Sequence, residues 1–118
     1  MIRHTFALLL LLCVPAAAET EREACERLAP KYGAEVEVVL WDLTRVDLLT
    51  DTEAIECDWP EKHYEAVGQA TWYSIVTGKA PAVLLLVKDA KKEARHIYRA
   101  TAICERLGIK LYLEPSPQ

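Results

Sequence analysis

The stretch from Arg45 to Tyr73, RVDLLTDTEAIECDWPEKHYEAVGQATWY, decides how this 118-residue chain folds. Its first half holds two short apolar runs, Arg45–Thr50 and Ala54–Trp59, in which polar residues alternate with apolar ones. Because the turn between them is only a few residues long, this pattern predicts two antiparallel strands. Pro60 ends the second run and suits the first turn of a helix, which we predict over about Glu61–Thr77.

Upstream of this stretch, the pattern predicts one helix and one further strand. Thr20 can cap a helix that runs from Glu21 to about Tyr32, where Gly33 ends it. The apolar run Val36–Leu40 predicts a strand. Its short connection to Arg45 makes it the first member of a three-stranded antiparallel meander.

Downstream, the apolar run AVLLLV at Ala82–Val87 predicts a central strand that is buried on both faces. A basic helix over about Ala90–Leu107, ended by Gly108, and a short strand at Ile109–Leu113 complete the chain. The order α-β-β-β-α-β-α-β indicates the α/β class, in the form of an α+β mixed sheet with helices on its faces.

The first 18 residues have the pattern of an export signal. Arg3 and His4 are basic, Phe6–Val14 is apolar but too short to span a bilayer, and Ala16-Ala17-Ala18 provides an A-x-A cleavage site. We therefore expect a signal peptide at 1–18 and a secreted or periplasmic single domain at 19–118, with no membrane attachment after cleavage. The alternative is an uncleaved anchor.

Charge is unevenly spread along the chain, whose formal net charge is −4. The segment from Glu19 to Glu65 holds 14 acidic and 5 basic residues, whereas Lys88 to Lys110 holds 7 basic and 3 acidic ones. An acidic first half with a basic later helix suits a metal pocket beside a phosphate-facing surface. Ordinary solvated faces explain the same distribution equally well.

Three cysteines, Cys25, Cys57 and Cys104, follow the expected cleavage site. Cys57 alternates with two acids on its strand, so we expect it to point into the core as a free thiol. Cys25 and Cys104 lie on two different predicted helices, and an oxidising compartment would allow a disulfide between them. No C-x-x-C motif or Cys/His cluster indicates a zinc site.

Three acidic side chains fall on the two strands of the deciding stretch. Glu56 and Asp58 are two residues apart, so they share one face at the end of their strand. Paired strands lie about 4.8 Å apart, so Asp47 can sit opposite them. Carboxylates this close repel unless a cation or protons join them, and Mg²⁺ prefers oxygen ligands. This spacing suits a metal site, but on spacing alone the preferred interpretation is that these acids ring a solvent-facing strand end.

The helix that follows adds a cation, an amide and a phenol on one face, at Lys62, Gln69 and Tyr73. Lys62 comes just after Asp58 and could orient a water or offset phosphate charge. Gln69 is flanked by apolar residues, so we expect it to be partly buried and bonded. The alternative is that this face is merely exposed while the opposite face packs in the core.

The later helix carries basic side chains that could follow a phosphate backbone, and the alternative is a solvated face. Spacing of three to four places most of them on one stripe, which includes Lys91, Lys92, Arg95 and Arg99. The tryptophans are expected in the core or at its rim rather than as base-stacking platforms: Trp41, Trp59 and Trp72.

These motifs, in this order, resemble the restriction-endonuclease-like, or PD-(D/E)XK, nuclease superfamily, and within it the small RecB-like members. The family has an αβββαβ core, to which this chain adds a helix and a short strand. Its first acid, on the second strand, is matched by Asp47. Its (D/E)-x-K motif, on the third strand, is matched by Glu56-Cys57-Asp58, and the RecB-type Q-x-x-x-Y by Gln69 to Tyr73.

One position departs from the family pattern, because Asp58 stands where the family has lysine. In some members the lysine lies on the following helix, where this chain has Lys62. Some members also use a glutamate of the first helix, for which Glu23 and Glu26 are candidates. The resemblance covers about Glu19 to Lys88.

The resemblance implies a nuclease that hydrolyses phosphodiester bonds, with Mg²⁺ or Mn²⁺ held by Asp47, Glu56 and Asp58. Lys62, Gln69 and Tyr73 would complete the catalytic set. Nucleic acid, DNA first, would be the partner, and a homodimer would serve to cut two strands. Two other interpretations stay open: a catalytically decayed nuclease-like binding module, and a small disulfide-linked domain without a site.

Overall fold

The computed structural model describes residues 18–116, so the expected signal peptide lies outside the described residues except for Ala18. Within that range the strands form one sheet in chain order: β1 (Glu35–Val39), β2 (Arg45–Leu49), β3 (Glu53–Asp58), β4 (Ala80–Leu86) and β5 (Lys110–Glu114). The first three strands are an antiparallel meander, and β4 and β5 run parallel to β3. The predicted mixed sheet with a three-stranded meander is confirmed.

Helices α1 (Glu21–Tyr32), α2 (His63–Thr77) and α3 (Ala94–Leu107) flank this sheet. Thr20 caps α1 and Gly33 ends it in the left-handed conformation, as predicted. The prediction that the second helix includes Lys62 is wrong, since Pro60–Lys62 forms a separate 3₁₀ turn before it. No helix among residues 18–116 is long and apolar enough to cross a bilayer.

The prediction that α3 begins at Ala90 is also wrong. The Glu93 carboxylate accepts hydrogen bonds from the backbone N–H groups of Lys88 and Asp89, and Asp89 accepts two more from the turn that follows. These side-chain bonds satisfy backbone donors in a turn and therefore compete with the helix. Lys91 and Lys92 consequently lie before α3, not on it.

Strand β4 is the centre of the core, as its apolar run predicts. Leu84 and its neighbours on the same face pack under α1, whereas Val83 and Leu85 pack under α2 and α3. The two faces therefore carry two separate apolar clusters, and the expected burial of this strand on both faces is confirmed.

The structure does not contain the disulfide that an oxidising compartment would allow between Cys25 and Cys104. Both cysteines are free, and they lie in the apolar clusters on opposite faces of β4. The sheet itself separates their sulfur atoms, so no side-chain rotation can join them. Cys57 is free and buried as predicted, and it lies in the same cluster as Cys25.

The sheet is irregular at Asp47. Residues two apart on a strand normally share a face, yet Leu48 packs in the cluster beneath α1 and Val46 packs with Tyr73 of α2. Glu37, the residue of β1 that faces this position, has φ of 51° and is skipped in the strand pairing. The side chains on either side of Asp47 in β2 therefore point to opposite faces of the sheet. The Asp47 side chain itself lies between the two faces.

Candidate active site

An open cleft of about 590 Å³ lies at this irregularity. Five elements, α1, β1, β2, β3 and α2, contribute to its wall, and its polar side chains include Glu21, Glu37, Asp47, Glu56, Gln69 and Tyr73. The sequence prediction named four of these six residues. Glu21 and Glu37 were not predicted, because no spacing in the sequence connects them with the acids of β2 and β3.

The Asp47 carboxylate is fixed by the backbone of the neighbouring strand. Its Oδ2 accepts a 2.9 Å hydrogen bond from the N–H of Cys57, in the region where the pairing of β2 with β3 has ended. Burial raises the pKa of Asp47, while the Cys57 N–H and the side chain of Glu56 oppose this increase. Asp47 is therefore hydrogen-bonded to the backbone of β3 and lies beside the Glu56 carboxyl group of the same strand.

Glu56 is buried against Asp47, with 5% of its surface exposed. Burial and then the adjacent Asp47 carboxylate raise the pKa of Glu56 to about 10. Its Oε2 has no hydrogen-bond partner among the described residues. The alternative that these acids ring a solvent-facing strand end is wrong, since Asp58 is also buried.

Asp58 belongs to a second acidic pair, with Glu21 at the start of α1. Burial and the neighbouring Asp58 carboxylate raise the pKa of Glu21 to about 7. Asp58 also accepts a 2.9 Å bond from the Trp59 N–H, and the charge of Lys62 opposes the effect of burial on the pKa values of both acids. Lys62 is thus the cation that lies near the Asp58–Glu21 pair.

The helix-α1 glutamate of the site is Glu21, so the candidates Glu23 and Glu26 are wrong. Glu23 interacts with the cap residue Thr20, and Glu26 forms an exposed ion pair with Arg22. The sequence does not indicate how α1 is rotated about its axis. In the structure, this rotation directs Glu21 towards the sheet.

These contacts group the acids as two pairs, Asp47 with Glu56 and Asp58 with Glu21. The donor atoms of both pairs are carboxylate oxygens, which are the ligands that Mg²⁺ and Mn²⁺ prefer. Mg²⁺ commonly takes one or two carboxylates and completes its shell with water and substrate oxygens. The unpartnered Oε2 of Glu56 leaves an acceptor available, so these residues fit a hard divalent ion.

Gln69 and Tyr73 line the same cleft from α2. Tyr73 is buried, and burial together with the nearby Glu56 raises the pKa of its hydroxyl to about 12, an effect that a hydrogen bond with Gln69 opposes. Gln69 itself is exposed, so the expectation of its partial burial is wrong. The face of α2 that bears Tyr73 nevertheless packs on the sheet, with Ala66 and Ala70.

The predicted nucleic-acid-binding residues are exposed, but they do not form one helical stripe. Arg95 and Arg99 lie on α3, whereas Lys91 and Lys92 lie in the turn that precedes it. No ion pair among residues 18–116 involves any of the four.

The first turn of α3 packs beside the turn that ends with Lys62. The rings of His63 and His96 are 5.7 Å apart, which joins the start of α2 to the start of α3. The exposed arginines of α3 therefore lie on the element that adjoins the lysine end of the site.

The turn between β1 and β2 borders the cleft with two exposed apolar side chains. Trp41 is 81% exposed and Leu43 is 84% exposed, so the expectation that Trp41 lies in the core or at its rim is wrong. Asp42 holds the turn in place, because it accepts hydrogen bonds from Thr44 and from the indole N–H of Trp72 on α2.

No protein-family model matches this chain, and no solved structure matches it. Among curated proteins, it is similar to a putative KilA-N domain-containing protein of Acanthamoeba polyphaga mimivirus, with 31% identity over 94 residues. The aligned region covers 80% of this chain and 37% of that protein, so the chain spans little more than a third of the relative's length.

Proposed function

We propose that this chain is a nuclease that hydrolyses phosphodiester bonds with the help of Mg²⁺ or Mn²⁺. The observation that carries the proposal is the buried Glu56 carboxyl group, which lies against Asp47 and has an oxygen without a hydrogen-bond partner among residues 18–116. Because Glu56 is buried and lies against the half-buried Asp47, ionising both acids is costly unless a cation lies between them or beside them. A substrate phosphate would supply further oxygen ligands to such a cation.

In this proposal the two acidic pairs have different roles. Asp47 and Glu56 hold the ion, and a bound divalent ion would neutralise charge on the phosphate and acidify a water. Asp58 and Glu21 lie on the side of Lys62, which could offset phosphate charge or orient the attacking water. Lys62 would thereby replace the strand lysine that Asp58 displaces.

Nucleic acid is the proposed substrate, with DNA as the first choice. Arg95 and Arg99 present exposed cations, without an ion pair in the described part of the chain, on the helix that adjoins Lys62, and phosphate backbones bind to such surfaces. The similarity to a KilA-N domain-containing protein supports a nucleic-acid partner. The export pattern at 1–18 supports an activity outside the cytoplasm.

A second candidate function is a binding module that keeps the nuclease-like site without its chemistry. The acid at position 58 favours this candidate, because the lysine expected there is absent from the strand. The exposed Trp41 and Leu43 beside the cleft suit binding of a partner as well as of a substrate.

Cleavage assays with the full chain distinguish the two candidates. Supercoiled plasmid, single-stranded DNA and RNA would each be incubated with the protein in Mg²⁺, Mn²⁺ or EDTA. We expect metal-dependent cleavage of at least one of these, and a loss of about 100-fold or more in Glu56→Gln. Glu105→Gln, which changes an exposed acid of α3, is the matched control and should retain full activity.

Two results would contradict the nuclease proposal. One is the absence of cleavage in every metal by protein that is folded, and the other is cleavage that survives in both Glu56→Gln and EDTA. Metal-dependent retention of DNA without cleavage would favour the binding module.

A further inference from the structure

Behind the acidic cleft lies a second cluster of metal-binding side chains, formed by Cys25, Cys57 and Asp47. Each residue offers one ligand atom, and these three atoms lie within 4.8 Å of one another. Cys25 lies on α1 and Cys57 on β3, and both thiols are buried and free. We propose that these three residues bind a soft divalent ion such as Zn²⁺ or Cd²⁺, at a site distinct from that of the hard ion.

The spacing of the ligand atoms fits a tetrahedral ion. Zinc lies about 2.3 Å from thiolate sulfur and about 2.0 Å from carboxylate oxygen, so ligand atoms around it are roughly 3.5 to 3.8 Å apart. Atoms that already lie within 4.8 Å of one another reach this arrangement by small side-chain rotations.

The ligand types decide which ion the cluster would take. Thiolates select Zn²⁺ and other soft ions, whereas the carboxylate oxygens of Glu56 and its neighbours suit Mg²⁺ and Mn²⁺. Two thiols with one carboxylate leave a fourth position, which a water can fill, as in open zinc sites. The two thiol protons pass to solvent as the sulfur atoms bind the ion.

Asp47 belongs both to this cluster and to the lining of the cleft. Asp47 lines the cleft, and the turning of β2 at this residue places its side chain between the two faces of the sheet. One side of the carboxylate therefore faces Glu56, and the other approaches the thiols.

Cys104 is a buried cysteine that lies outside this cluster of metal-binding side chains. It is free and buried on the opposite face of the sheet, in the apolar cluster that contains Val83 and Leu85. Cys104 therefore provides an internal control for every experiment on the other two cysteines.

Sharing Asp47 couples the two sites. A soft ion on Cys25, Cys57 and Asp47 would occupy the carboxylate that pairs with Glu56, so it would inhibit metal-dependent hydrolysis. This consequence rests on the proposed function, whereas binding of the soft ion does not.

Titration of the full chain with Cd²⁺ tests the site, with the ultraviolet charge-transfer absorption of Cd²⁺–thiolate bonds as the readout. We expect a band that saturates at one ion per chain and is lost in Cys25→Ser and in Cys57→Ser. The band should persist in Cys104→Ser. Asp47→Asn should retain the band but shift the titration to higher Cd²⁺ concentration.

Three outcomes would overturn the proposal. They are no band from wild-type protein that circular dichroism shows to be folded, a band that Cys25→Ser leaves unchanged, and a purified chain whose mass is two hydrogens lower because Cys25 and Cys57 have formed a disulfide. Each of these three outcomes is detected without a nuclease assay. Failure of this site is therefore distinguishable from failure of the proposed function.

Discussion

The carboxylate of Asp47 accepts a 2.9 Å hydrogen bond from the backbone N–H of Cys57. The regular pairing of β2 with β3 has ended at this point. The Cys57 N–H of β3 therefore bonds to the Asp47 side chain and not to the backbone of β2. The same carboxylate contacts Glu56 and lies within reach of two thiols. Asp47 therefore joins β2 to β3 beyond the end of their backbone pairing, and it also contacts Glu56 in the lining of the cleft.

Replacing Asp47 should separate its structural role from its charge. Asp47→Ala removes the acceptor and leaves the Cys57 N–H buried without a partner, whereas Asp47→Asn retains an acceptor oxygen. Both variants remove the same carboxylate charge beside Glu56. We therefore expect Asp47→Asn to be more stable than Asp47→Ala by about 1–3 kcal/mol in urea unfolding. Equal stabilities would show that this hydrogen bond contributes nothing.

The stability of the metal-free protein should decrease as pH rises. The pKa of Glu56 is raised from its ordinary 4.5 to about 10, so the folded chain keeps a proton that the unfolded chain has released. Its contribution is fully present below pH 4.5 and is lost as the pH rises towards 10. Urea unfolding across this range should show the decrease in wild type.

Glu56→Gln provides the control for this pH dependence, because glutamine has the same shape and no titratable proton. We expect a flatter profile in this variant, and also in wild type saturated with Mg²⁺, which compensates the charge of the ionised pair. A slope that is the same in Glu56→Gln and in wild type would assign the pH dependence to other groups.

Lys62→Ala should lower the rate of nucleic-acid cleavage by about 100-fold or more, as is typical when a transition-state contact is removed. Stability should change little, since the Lys62 side chain is exposed. Lys110→Ala, an exposed lysine on β5, is the matched control and should retain the wild-type rate. Equal rates for both variants would remove Lys62 from the catalytic set.

Leu43→Gly should stabilise the protein. Leu43 has φ of 70°, in the left-handed region that costs a residue with a Cβ about 1 kcal/mol, and its side chain is exposed. Glycine adopts this conformation without that cost, so the free energy of unfolding should increase by up to about 1 kcal/mol. A decrease in stability would mean that the leucine side chain makes a stabilising contact.

The hairpin and the helix after it could be predicted because their signals are local. Alternating apolar residues define β2 and β3, and Pro60 separates them from α2. The turning of β2 at Asp47 could not be predicted, because Val46 and Leu48 satisfy ordinary alternation. The packing of Tyr73 against Val46, from a distant element, shows which face each of them takes.

The composition of the site depends likewise on how helices dock. Glu21 reaches Asp58, and Cys25 reaches Cys57, only because α1 presents one particular side to the sheet. The sequence places a glutamate at three positions in the first two turns of α1 and does not indicate which one faces inward. The acids on the strands were predictable, because strand alternation fixes their faces without tertiary information.

Binding of Mn²⁺, followed through the loss of its free-ion electron paramagnetic resonance signal, is the most direct measurement on the cleft. We predict a saturable site in the wild-type chain and binding weaker by about tenfold or more in Asp47→Asn and in Glu56→Gln. Glu105→Gln should bind like wild type. The absence of binding, or equal binding by Glu56→Gln and wild type, would contradict a metal site at the Asp47–Glu56 pair.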